Sequence, residues 1–221
     1  MKKLILSVFF SLAYIASASA DLGVNVGVSG QAGLFAGSAT ESNPVASKTK
    51  GNANEYGEAA WGSVFVEGTF GDRFMVGVDY VPAALETDTT ETAKGDKRTA
   101  SVETITQTSN KVTVDFEHLT TVYAGIMINE NFYAKAGYVT VDVLTREDLG
   151  TGGSYGDTEL DGTMFGLGYH NALDNGVFFR FEGNYIDFDG ASQTNSNNAN
   201  RKIELTSLDG ITGKISLGKT F

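Results

Sequence analysis

Apolar side chains recur at every second position along most of this chain, and the stretches that carry them are joined by connections of alternating length. Leu22, Val24, Val26 and Val28 alternate with Gly23, Asn25, Gly27 and Ser29. A period of two is the signature of a strand with one apolar and one polar or small face. Similar segments fall near 22–37, 58–70, 73–84, 111–127, 132–146, 161–170, 177–189 and 203–221, which makes eight strands. Three connections are short and hold the Gly, Asn or Asp that tight turns require: Gly71-Asp72-Arg73, Asn129-Glu130-Asn131, and Asn171 to Gly176. Four are long and polar, near 38–57, 85–110, 147–160 and 190–202. Strict alternation of long and short puts every long loop at one end of an up-and-down sheet. An even strand number puts both termini at the other end. The expected fold is all-β, an eight-stranded antiparallel up-and-down transmembrane β-barrel.

The amino terminus supplies the compartment. Met1-Lys2-Lys3 is basic, Leu4 to Ile15 is an apolar run, and Ala18-Ser19-Ala20 is a small-residue cleavage site. These are the three parts of a secretory signal, and the apolar run is too short for a membrane-spanning helix. The expected division is a signal peptide over 1–20, cleaved after Ala20, and one barrel domain over 21–221. Export excludes cytoplasmic chemistry.

The formal charge of −11 argues against nucleic acid as a partner, because an acidic surface repels phosphate. The chain has no cysteine, so it has no thiol nucleophile and no disulfide. Burial and strand pairing must hold it together. Glu86 to Asn110 and Gly190 to Asn200 are dominated by polar residues and cannot form a core of their own.

The strand faces say what the sheet encloses. Val177, Phe179, Phe181 and Tyr185 share one face of the seventh strand, and Arg180, Glu182 and Asn184 share the other. In a soluble sandwich the apolar face would be the core; in a barrel it meets lipid and the charges sit inside. Val112, Val114 and Phe116 oppose Thr113, Asp115 and Glu117 in the same way. In the second strand Trp61, Phe65 and Glu67 share one parity and Val64, Val66 and Phe70 the other, which leaves its facing open. The chain stops at Phe221, in a strand where Ile211, Ile215, Leu217 and Lys219 share its face. Lys219 stands where an apolar residue is expected and would snorkel at the membrane edge.

With its leader, eight strands, glycine–aromatic alternation, inward Arg180 and Glu182, and terminal Phe221, the chain resembles the OmpA/OmpX-like small outer-membrane barrels. The resemblance implies residence in the bacterial outer membrane, contact with its lipid, and no cofactor. It also implies recognition of Phe221 by the barrel assembly machinery. The chain ends at the last strand, so a periplasmic peptidoglycan-binding domain is not implied.

The interior positions predicted to carry charge are Glu67, Asp79, Asp115, Glu117, Lys135, Arg180, Glu182 and Lys214. An eight-stranded barrel has room only for its own side chains, and enclosed charges must be paired. The expected function is therefore a structural or surface-interaction barrel, not an enzyme, whose long loops meet an external ligand. Inner glycines such as Gly23, Gly27 and Gly33 would leave space, which keeps an alternative: a narrow passive channel for small solutes, as in OmpW-like proteins. A lipid-modifying enzyme would need a histidine paired with Ser or an acid on one rim. His118 and His170 are the two histidines, and both read as surface residues. Asp187 and Asp189 fall well short of the six to eight oxygens that calcium takes.

Overall fold

The computed structural model describes residues 22–42, 50–71, 73–86, 90–96, 106–150 and 152–221; the expected leader lies outside these. The strands are β1 (Leu22–Ser42), β2 (Lys50–Phe70), β3 (Phe74–Tyr80), β4 (Leu85–Glu86), β5 (Thr90–Asp96) and β6 (Thr106–Met127). After them come β7 (Phe132–Leu149), β8 (Thr158–Ala172), β9 (Val177–Phe188), β10 (Ala191–Asn195) and β11 (Asn198–Thr220). Every pairing is antiparallel. The order β1-β2-β3-β6-β7-β8-β9-β11 returns to β1, so eight strands close a ring. Closure satisfies the backbone groups that an open sheet would expose to lipid.

Each of the eight predicted segments overlaps one ring strand; β3 ends at Tyr80, short of the predicted 84, while most of the other strands run further than the apolar alternation does. β1 and β2 stay paired from Leu22–Phe70 to Ser42–Lys50, and β6 pairs with β7 as far as Asn110–Leu149. A membrane crossing takes roughly 9–11 residues of tilted strand, while β1, β2, β6 and β11 have 21 to 23. Much of the sequence expected as polar loop is therefore β-ribbon beyond the bilayer. Toward the ribbon tips, as over 54–58 and 198–204, neither face is buried, so ladder hydrogen bonds hold the strands without any hydrophobic period. Two ribbon pieces are separate strands. β4 and β5 continue β3 along β6, and β10 continues β9 along β11.

The wall has the expected polarity. Val28, Leu34, Phe165, Leu167, Ile211 and Ile215 project outward and are exposed, as lipid-facing residues must be. Near the short turns Phe132, Tyr169 and Phe179 form a continuous ring ladder, with centroids 5.4 and 6.5 Å apart. Tyr80, Tyr138 and Tyr185 stand at the opposite margin of the apolar band. Together these are the two aromatic girdles of a membrane barrel. The second strand is also settled: Trp61, Ser63, Phe65 and Glu67 are buried inside, and Val64 faces out.

One element departs from strict alternation. Glu117 lies opposite Asp142 but Thr120 lies opposite Thr140, so β6 carries one extra residue. His118 absorbs it with a φ of 56°. Such a bulge inverts the facing of everything beyond it. Phe116 therefore sits opposite inward Val143, and Val114 and Phe116 pack on the core. Asp115 and Glu117, predicted inside, fall on the outward register beside Leu144 and Asp142.

Candidate functional site

The barrel interior is layered. Next to the short turns Met75 and Phe178 are almost wholly buried. Above them, six of the predicted charges meet. Arg180 donates from Nη1 and Nη2 to the two carboxylate oxygens of Glu67 at 2.9 and 2.7 Å. Asn25 and Tyr123 donate to the same carboxylate at 2.7 and 3.0 Å, and Thr220 in turn donates to Asn25 at 2.7 Å. Lys135 pairs with Glu182 at 2.8 Å, Tyr133 donates to Glu182, and Lys214 pairs with Asp79. Lys214 also lies 3.9 Å from Glu182, which joins the last two pairs. Three cations face three carboxylates, so the layer is neutral. That balance allows charges to be enclosed at all.

The remaining two predicted members are elsewhere. Asp115 is fully buried but apart from this layer, paired with Arg146 at 2.5 Å, and Glu117 lies near His118 at 3.8 Å on the outer surface. The bulge at His118 is the reason, and no hydrophobic pattern in the sequence reveals it. His170, expected at the surface, belongs to the interior layer instead. Its Nδ1 accepts from Arg180 Nε at 3.0 Å, and its ring lies 5.0 Å from that of Phe178. The parity of β8 carries that signal: Met164, Gly166 and Gly168 face in, and His170 follows two residues on.

The inner glycines face neighbouring atoms rather than open space. A methyl on Gly27 would strike the ring of Phe65, and one on Gly168 would strike Tyr133. Gly33 backs onto Thr212 and Phe35. At Gly27 and Gly168 glycine is needed because a ring from the neighbouring strand occupies the space. Toward the long loops the interior turns apolar. Val139, Val141, Leu160, Met164, Ile186 and Phe188 form a buried cluster over the charged layer.

The outer rim offers different chemistry. Outward carboxylates follow the upper tyrosines: Tyr185 donates to Asp209 at 2.6 Å, and Asp187 stands opposite Asp209. His118 Nδ1 lies 3.0 Å from Asp142, but the Thr120 hydroxyl two residues on is engaged with the His118 carbonyl at 2.8 Å. Among the described residues no three His, Asp or Glu side chains are grouped to hold a metal. Beyond the rim the ribbons dock on one another. Ser154 and Ser196 exchange bonds of 2.9 and 2.8 Å, and Tyr155 N–H donates to Glu147 at 2.7 Å. The Tyr155 phenol is pushed up by burial first, and then by the nearby carboxylate of Glu41.

No family model matches this chain, and no curated protein matches it. Solved structures do. One is Ail, the attachment invasion locus protein of Yersinia pestis, in complex with the heparin analogue sucrose octasulfate. It is 13% identical, with 88% of this chain and 99% of that one covered and a TM-score of 0.39. Another is the outer membrane protein OprG from Pseudomonas aeruginosa, 14% identical, with 88% and 96% covered and a TM-score of 0.44. A closed antiparallel ring, apolar outside and enclosing a layer of paired charges, is the wall of a bacterial outer-membrane β-barrel.

Proposed function

We propose that this protein is a structural and surface-interaction barrel whose interior is closed to solute flow and whose external ribbons bind a ligand. The observation that carries this reading is the filled interior. Three ion pairs, aromatic rings seated over glycines and an apolar cap occupy the lumen in succession. A solute would have to break enclosed ion pairs, and each partner so stranded is costly. In the same reading the leader is removed after Ala20 and Phe221 is the contact for the barrel assembly machinery. Phe221 suits that role because it is 73% exposed on the outer face and its backbone is paired with Val24.

Planar-bilayer recording of the purified protein tests the closed interior. The expected result is no unitary conductance above that of the bare bilayer. Stable single-channel steps in the wild-type protein would overturn it and favour the narrow channel.

A further inference from the structure

Among the described residues, the external half of β2 has no strand on the side away from β1. β3 pairs with β2 only as far as Val64–Tyr80; Val81 still donates to Leu119 of β6 at 2.9 Å, and after Pro82 the chain continues along β6 as β4 and β5 with no described pairing to β2. Residues 54–62 of β2 pair with β1 on one side and with no described residue on the other. Which backbone groups are free follows from the seam. Val24 and Phe221 exchange both backbone bonds, at 3.1 and 2.9 Å, so even-numbered residues of β1 point toward β11. Odd-numbered residues of β1 then point toward β2. The register places them opposite odd-numbered residues of β2, as Phe35 lies opposite Gly57 and Gly33 opposite Ala59. The even-numbered residues of β2, Asn54, Tyr56, Glu58, Ala60 and Gly62, therefore aim their N–H and C=O groups at the open side.

Natural sheets blunt such edges with proline, lysine or a bulge. This edge has none of them. Residues 54–62 contain no proline and no basic residue, and the β1–β2 register runs without a shift. Asn54, Tyr56 and Glu58 are exposed, Tyr56 at 85%; the Asn54 side chain accepts from Ser38 of β1 at 2.8 Å. The carboxylates here are Glu55 and Glu58. We infer that the free edge of β2 over Asn54–Gly62 is a docking strand for an extended, cationic peptide segment of a partner protein, which adds to the wall by backbone pairing. The free N–H and C=O groups supply affinity, and Glu55 and Glu58 select positive charge. This deepens the proposed surface role and rests on it for the external placement of the ribbons.

The probe is a short synthetic peptide alternating lysine and valine, added to the folded protein in detergent. Amide exchange is followed along β2. Peptide should slow exchange at the even-numbered amides 54–62. Glu58→Pro removes one edge donor without touching the β1 ladder, and should weaken binding by about three- to tenfold. The same peptide N-methylated at alternate residues should not bind wild-type protein, which keeps the test independent of whether the proline variant folds. Binding by the methylated peptide overturns the inference. So does protection at 154–157 or 191–198 instead of β2, although a binding rim would then still stand. No protection anywhere on the ribbons removes both readings.

Discussion

Arg180 is held by residues of three other strands and by a neighbour on β9. Glu67 of β2 takes two of its hydrogen bonds and His170 of β8 takes a third, while the rings of Phe178 and Tyr133 lie 4.7 and 5.4 Å from its guanidinium. Its side chain is 5% exposed and that of Glu67 is fully buried. Arg180→Ala would strand the Glu67 carboxylate, and should cost about 3–5 kcal/mol. Asn197→Ala, at a ribbon tip, should cost under about 0.5 kcal/mol. Urea titration in detergent measures both; equal midpoints would refute the claim. Removing Arg180 and Glu67 together should cost less than the two single losses combined, because no charge is left alone. Most of this layer was legible in the sequence, because a charge on the face opposite Val, Phe and Ile must point inward once the sheet closes. His170 was missed because it sits beside a turn, where a histidine is ordinarily wet.

At the scale of the strand, the bulge in β6 decides which residues line the outer interior. It could not be read from the sequence. Val114, Phe116, Asp115 and Glu117 alternate cleanly, and nothing in that run marks the residue at which the phase is lost. His118 in the left-handed region is a structural fact with no compositional flag. The consequence is testable. Deleting Leu119 would remove the extra residue yet leave Glu117 opposite Asp142 and Phe116 opposite Val143, so the facing of the outer half is kept and the variant should retain the heat-modifiable folded form on gels. His118→Gly, which suits a φ of 56°, should also keep it and stay within about 1 kcal/mol of wild type. Deleting Phe116 instead would bring Asp115 opposite inward Val143, into the apolar cap, and should lose the folded form. A folded Phe116 deletion would show that the register with β7 does not fix this facing. The ribbons were missed for a related reason: toward their tips neither face is buried, so the sequence has no periodicity there to announce a strand.

The whole molecule is polarised, with short turns at one end and paired ribbons at the other. Trypsin added to intact cells should cleave after Lys97 or Arg98, between β5 and β6, and spare Arg73 in the turn between β2 and β3. Fragment masses report the sites, and cleavage at Arg73 would invert the barrel. The alternation of connection lengths makes this end-to-end asymmetry legible in the sequence. The ion pairs add something that the asymmetry does not. Arg180 and Glu67 are 113 residues apart, and Lys214 and Asp79 are 135 apart. Each pair joins one of the first three strands of the ring to one of its last two, across the line where β1 meets β11. Neither can form while a growing sheet is still open, because its partners then lie at opposite margins. These contacts act as a clasp that fastens only when the circle is complete. Peeling away a single strand would unfasten it at once, so the barrel should come apart all together or not at all, and its lifetime in the membrane is set by that one concerted step.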